Sequence, residues 1–220
     1  MLTVCFADVS PLDDDALYRY YLGEAEEYRR LKAERYRRRE DRNLCLGAGA
    51  LLALTLGTFG LDVKNMKTAL GENGKPYFPD APSVQFNLSH SGSVVMAAVS
   101  DREVGCDVER IGEAPPGLAK RFFHPNEYAA VLSCQTDAER IETFYRLWTL
   151  KESYLKATGT GMSVPLGSFE IRLGEVPALH AAGGEGFAFL EPETFDGYRS
   201  AVCVKGGVSG AEIRRVSLAR

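Results

Sequence analysis

Apolar and polar positions alternate along this chain in short strand-like and helix-like runs. Residues 3–9 alternate enough to be a strand. Asp13, Asp14 and Asp15 can cap one helix through the Tyr-rich and Arg-rich stretch that follows. A second helix is expected over residues 42–58, ended by Gly60. Gly71, Gly74 and Pro76 sit at turn spacing, and strand-like runs follow at 84–88, 94–99 and 104–109. Residues 115–123 and 125–133 read as short helices, and 137–158 reads as one long helix. The rest is punctuated by glycine, with strands expected at 169–173, 187–190, 198–204 and 212–218. Helices and strands in mixed order predict α+β packing. No direct repeat or low-complexity linker is visible.

The chain has 220 residues, which suits one large domain or two smaller halves sharing a site. We divide it into an N-terminal half, residues 1–104, and a C-terminal half, residues 105–220. Apolar residues make up 45 % and charged residues 25 %, so a core can form without disulfide or metal staples. The net charge of −4 argues against a general nucleic-acid binder. Yet Arg29, Arg30, Lys32, Arg35, Arg37, Arg38, Arg39 and Arg42 crowd into one stretch. A local basic patch on an acidic protein suits a small polyanion better than a long one.

The five cysteines are odd in number, and no two stand at a zinc-ligand spacing. Buried free thiols in a reducing cytoplasm are expected. The N-terminal residues lack a basic region followed by an apolar run, so no signal peptide is read there. The apolar stretch 44–59 is broken by Gly47, Gly49 and Gly57 and reads as a buried helix, not a membrane span.

Four segments carry candidate chemistry. In Gly105-Cys106-Asp107-Val108-Glu109, strand alternation puts Asp107 and Glu109 on one face, about 6–7 Å apart along the backbone. Two such carboxylates suit a hard cation such as Mg²⁺, and equally a solvated strand edge. In the long helix, Ile141, Phe144, Leu147, Trp148 and Leu155 form an apolar stripe at about 100° per residue. Lys151 falls inside that stripe, where it needs an apolar bed for its stem or a partner for its head. Glu152 and Lys156 lie one turn apart at the stripe's edge, as a functional pair or as an ordinary surface pair worth a few tenths of a kcal/mol. In Phe86-Asn87-Leu88-Ser89-His90-Ser91-Gly92, an apolar strand ends in hydroxyls, an imidazole and free backbone donors, a setting for an anion or a structural histidine. Gly74-Lys75-Pro76 reads alone as a hairpin turn with an exposed lysine.

Together these segments resemble the Sfp-type 4′-phosphopantetheinyl transferases. The order Gly-Lys-Pro, Phe-Asn-Leu-Ser-His-Ser-Gly, Gly-x-Asp-x-Glu and Trp-x-x-Lys-Glu-Ser-x-x-Lys matches, with Ala119-Lys120-Arg121-Phe122-Phe123 and the glycines Gly159 and Gly161. The resemblance is densest over residues 74–162 and thin after 176.

It implies two similar α/β halves related by a pseudo-twofold axis, with the active site in the cleft between them. The length fits the monomeric, duplicated kind. It also implies Mg²⁺-dependent transfer of the phosphopantetheine arm of coenzyme A to a serine of an apo acyl or peptidyl carrier protein, with no nucleic-acid or membrane partner. By the same resemblance Asp107, Glu109 and Glu152 hold Mg²⁺. Lys156 meets the diphosphate, and Glu152 is the candidate base for the serine. Ser89 and His90 contact coenzyme A phosphates. Gly74, Lys75 and Pro76 lie along its adenine and ribose end, and Arg29 and Lys32 near its 3′-phosphate. Phe122, Phe123 and Met162, with the segment 159–166, are candidates for docking the carrier.

One departure stands out. Where the family often shows Asp-x-x-Arg followed by a hydroxyl residue, this chain has Asp41-Arg42-Asn43-Leu44-Cys45. Arg42 or Arg38 is then expected to substitute in holding the 3′-phosphate. Two other classes compete: a non-catalytic coenzyme A or carrier-binding module, and a metal-dependent nuclease. Three convergent carboxylates exceed what binding alone requires, and the acidic net charge opposes a nuclease.

Overall fold

The structure is a computed structural model that describes residues 1–113 and 117–219, excepting the side chain of Met162. The chain forms two compact units: Met1–Asp101 with Gly210–Arg220, and Arg102–Ser209.

The first unit opens with strand β1 (Leu2–Asp8), followed by a 3-10 turn at Ser10–Asp13. The one helix expected through the Tyr-rich and Arg-rich stretch is two, α1 (Asp15–Glu24) and α2 (Glu27–Arg35). Asp14 caps α1 by accepting from Leu17 N. The break has its own cap: Ala25 turns extended, and the Glu26 side chain accepts from Tyr28 N to start a new helix. Helix α3 (Arg39–Gly57) begins earlier than residue 42, with Glu40 and Asp41 in its first turn, where acids favour a helix start.

The small hairpin of β2 (Ala69–Leu70) and β3 (Pro76–Tyr77) closes around Gly74, whose φ is +80°. Strands β4 (Gln85–Ser91) and β5 (Val94–Ser100) pair antiparallel, and β5 pairs antiparallel with β1. One face of this sheet receives α3: Leu46, Ala48 and Leu51 pack with Cys5, Ala7, Val95 and Ala97. Leu52 and Leu56 pack with Val99 and the stacked rings of Phe78 and Phe86, 4.5 Å apart. Each such buried leucine contributes about 1.5–3 kcal/mol.

The second unit holds β6 (Val104–Arg110), α4 (Leu118–Phe122), α5 (Pro125–Ser133) and α6 (Asp137–Thr158). The helix expected from residue 115 has its first positions outside the described residues, and the observed helix starts at Leu118. Strands β7 (Glu170–Arg172), β8 (Ala178–His180), β9 (Phe187–Leu190) and β10 (Tyr198–Lys205) follow. The sheet order is β6-β10-β9, and α6 packs on β6 and β10. Gly105 makes that approach possible. A β-carbon there would overlap the backbone of Ser153 and Ala157, so only glycine lets β6 lie this close to the helix. The last strand, β11 (Ala211–Arg215), returns to the first unit and pairs parallel with β1.

Among the described residues, no helix is long and apolar enough to cross a membrane. All five cysteines are free, and four of them are buried.

Candidate active site

In the second unit, β6 and α6 bring the acidic and basic motifs together. Asp107 is 2 % exposed on β6. Its Oδ1 accepts from Lys156 Nζ at 2.5 Å, and the Lys156 side chain is 29 % exposed. Burial alone would lower the Lys156 ammonium, but the facing Asp107 carboxylate outweighs it and holds the group above the ordinary lysine value. Glu152 is half-buried one helical turn before Lys156. Burial pushes its carboxyl above the usual range; Lys156 pulls it back, and the Asp107 carboxylate adds to the rise. Glu109 follows Asp107 by two positions on the same strand face, in register with Arg199 of β10. Thus Asp107, Glu152 and Lys156 influence one another directly, with Glu109 at the strand's end. Among the described residues no group of three or more His, Cys, Asp or Glu side chains is placed to hold a metal ion. Carboxylate oxygens such as those of Asp107, Glu109 and Glu152 are hard donors of the kind Mg²⁺ prefers.

Lys151 has the partner its position in the apolar stripe demands. It is fully buried, and its Nζ donates to Glu127 Oε1 at 2.6 Å and to Phe169 O at 2.8 Å. It also lies 4.0 Å from the centre of the Phe169 ring. Burial lowers its ammonium and Glu127 opposes that fall. Glu127 in turn accepts from Ile171 N and from His124 N, the latter in the capping box of α5. Lys151 therefore ties α6 to α5 and β7. The sequence reading anticipated a partner but had no signal for Glu127, which sits 24 residues away on another helix.

The aromatic residues beside the motif divide by depth. Phe123 is 5 % exposed and stacks with Phe144, which stacks with Trp148. Phe122 is half-buried at the edge, 6.3 Å from Trp148 edge-on, with the Arg121 guanidinium 4.9 Å above it. Gly159, at φ +69°, ends α6, and Met162 follows in the 3-10 turn Gly161–Ser163; its side chain lies outside the described residues.

In the first unit, a cavity of about 190 Å³ gathers most of the predicted anion-binding residues. Helix α2 supplies Arg29 and Lys32, the hairpin supplies Gly74 and Pro76, and β4 supplies His90. Tyr28, Tyr36, Asp41 and Asn87 also line it, and the sequence reading had not singled them out for binding. Their signal was proximity alone: Asn87 lies inside the β4 motif and Tyr28 precedes Arg29. Leu44 and Cys45, the departures from the family pattern, form part of the apolar wall. Burial pushes the Cys45 thiol up and Arg29 draws it back; the sulfur lies 3.8 Å from the Arg29 carbonyl oxygen. Ser89 is buried on β4, and Lys75 is half-buried on the hairpin; neither lines the cavity. Arg42 does not line it either, and its Nε donates to Tyr36 O at 2.8 Å. Arg38 stands at the α3 N-cap, exposed.

Arg29 has the most unusual environment of these. It is 7 % exposed, and its Nε is buried and donates to no acceptor among the described residues. A guanidinium taken from water without full compensation is costly, and an incoming anion would supply that compensation.

A family model described as the 4′-phosphopantetheinyl transferase superfamily matches residues 103–203. A 4′-phosphopantetheinyl transferase of Bacillus subtilis is 36 % identical over 180 residues, covering 80 % of each chain. The 4′-phosphopantetheinyl transferase Sfp of Bacillus subtilis strain 168 is 34 % identical over 184 residues, again covering 80 % of each. Among solved structures, a holo-(acyl-carrier-protein) synthase from Bacillus anthracis in complex with CoA aligns at 21 % identity and a TM-score of 0.41, covering 47 % of this chain and 94 % of that one.

Proposed function

This chain belongs to the 4′-phosphopantetheinyl transferase superfamily, and we propose that it transfers the phosphopantetheine arm of coenzyme A to a serine of an apo acyl or peptidyl carrier protein. The observation that carries the reading is the meeting of β6 and α6, which sets Lys156 on buried Asp107 with Glu152 one turn away.

In the reaction the serine Oγ attacks the phosphorus bonded to the pantetheine arm. The Oγ–P bond forms, the bond to the diphosphate bridging oxygen breaks, and adenosine 3′,5′-bisphosphate leaves. Positioning and neutralisation of charge carry such a transfer. Asp107, Glu109 and Glu152 would hold Mg²⁺, which when bound neutralises diphosphate oxygens. Lys156 adds its charge to the diphosphate, exchanging Asp107 for a phosphate oxygen. Glu152 takes the serine proton, directly or through a water.

Arg29 and Lys32 meet the 3′-phosphate, with Gly74, Lys75 and Pro76 along the adenine and ribose and with Ser89 and His90 on phosphate oxygens. Arg42 is next in line should Arg29 fail. Phe122, Phe123 and the segment 159–166, which contains Met162, are the candidates for docking the carrier; Phe123 lies in the core cluster against which Phe122 packs. The proposal extends to a monomer working in a reducing cytoplasm, a setting in which five free cysteines persist.

The test is mass spectrometry of a panel of apo carrier proteins incubated with the protein, coenzyme A and Mg²⁺. A carrier that gains the mass of one phosphopantetheine supports the assignment. Coenzyme A binding without modification of any carrier overturns it in favour of a binding module.

A further inference from the structure

Gly49 lies on α3 beneath the stem of Arg29. A β-carbon built at Gly49 would stand 2.7 Å from Arg29 Cγ, 3.1 Å from Cδ and 3.2 Å from Nε. Carbon atoms prefer separations of about 3.5–4.0 Å, so no side chain at position 49 is compatible with the present path of Arg29. These three atoms are consecutive along the stem, so the clash would run along its length and not merely at a flexible tip. The bare α-carbon is what lets the stem lie against α3, where its Nε is buried and the residue lines the cavity of about 190 Å³ together with Lys32, Cys45 and His90.

We propose that Gly49 is a positioning residue that sets the donor specificity of the enzyme by fixing Arg29 for the 3′-phosphate of coenzyme A. This rests on the reading of Arg29 given above. Arg29 and Gly49 also line a second cavity, of about 230 Å³, with Ala50, Ala53 and Val63 in its wall. That space can receive an arginine stem displaced by a methyl group at 49. Gly49→Ala therefore moves the guanidinium without demanding that α2 leave α3, and the effect falls on specificity more than on folding.

The experiment is a double-mutant cycle of Gly49→Ala and Arg29→Ala. It measures kcat/KM for coenzyme A and for 3′-dephospho-coenzyme A at saturating Mg²⁺ with one carrier. Gly49→Ala is expected to lower the preference for coenzyme A about tenfold, the loss of one charge-assisted contact. The change should sit in the KM for coenzyme A and leave the KM for carrier unchanged. In the Arg29→Ala background the added methyl meets no stem, and Gly49→Ala should change the preference no further.

Equal losses with both donors, or an effect that persists without Arg29, would overturn the proposal. If Arg29→Ala abolishes the preference while Gly49→Ala keeps it, the Gly49 assignment alone is wrong. If Arg29→Ala itself keeps the full preference, the phosphate reading falls and this inference with it. Should Gly49→Ala not fold, the double variant separates the cases. Recovery of folding supports a clash with the stem, and continued failure refutes it.

Discussion

Replacing Lys156 with Met keeps most of the stem and removes the cation that faces Asp107. Asp107 is 2 % exposed, and its Oδ1 sits 2.5 Å from the ammonium. Breaking a buried pair by deleting one partner costs about 3–5 kcal/mol, because the remaining charge is stranded. The Lys156 side chain is 29 % exposed, which softens the loss, so the low end, about 3 kcal/mol, is expected for the metal-free protein at neutral pH. The pH dependence has a definite sign. The lysine's folded value is raised, so its contribution is fully present below the unfolded lysine value and is lost as pH rises through the folded one. Wild type and variant should therefore converge in stability under strongly alkaline conditions.

Mg²⁺ should restore stability to the variant, and should bind it more tightly than wild type, since Lys156 no longer occupies Asp107. Urea unfolding with and without Mg²⁺, together with calorimetric Mg²⁺ titration, reads all of this. The double variant Asp107→Asn, Lys156→Met should recover part of the loss. A cost below about 1 kcal/mol, or a double variant no more stable than the single, would refute the buried-pair reasoning.

Glu152→Gln should stabilise the metal-free protein near neutral pH. The raised Glu152 carboxyl makes wild-type stability fall as pH rises from the ordinary glutamate range through the folded value, and the variant should lack that slope in pH-dependent thermal melts. In turnover, the same variant should stay slow at saturating Mg²⁺ if Glu152 takes the serine proton; full rescue by excess Mg²⁺ would leave it only a ligand. Lys151→Met should cost about 3–5 kcal/mol in urea unfolding by stranding Glu127, and adding Glu127→Gln should recover much of it, because Gln still accepts from Ile171 N. Gly105→Ala should lower both stability and activity. A β-carbon there overlaps the α6 backbone and pushes β6, with Asp107, away from Lys156; a soluble variant with wild-type rate would contradict this.

Local chemistry made much of the second unit legible. Helices α5 and α6 carry N-caps at His124 and Thr136 respectively, each with a glutamate at the third position, so both helix starts are legible from local chemistry. The break between α1 and α2 was not, because Glu26 acts as an N-cap through its own carboxylate, a role usually taken by shorter side chains. The parallel pairing of β11 with β1 depends on contacts far apart in sequence, which periodicity does not report; β8, paired with nearby β7, is only three residues long, too short to show an alternation.

The site shows the same division between local and distant causes. Asp107 and Glu109 share a face by strand alternation, and Glu152 and Lys156 by helical spacing, so each pair could be read within its own segment. What joins the pairs is Gly105, whose missing side chain lets β6 lie against α6, and a glycine inside a motif does not announce which backbone it touches. Lys151 was legible as a conflict, a charge in an apolar stripe, while its resolution by Glu127 lay on another helix. Gly49 was read only as an interruption in an apolar helix. Its relation to Arg29 needed α2 and α3 side by side. In both glycines the functional information is an absence of atoms, and an absence acquires meaning only from the neighbour that fills the space.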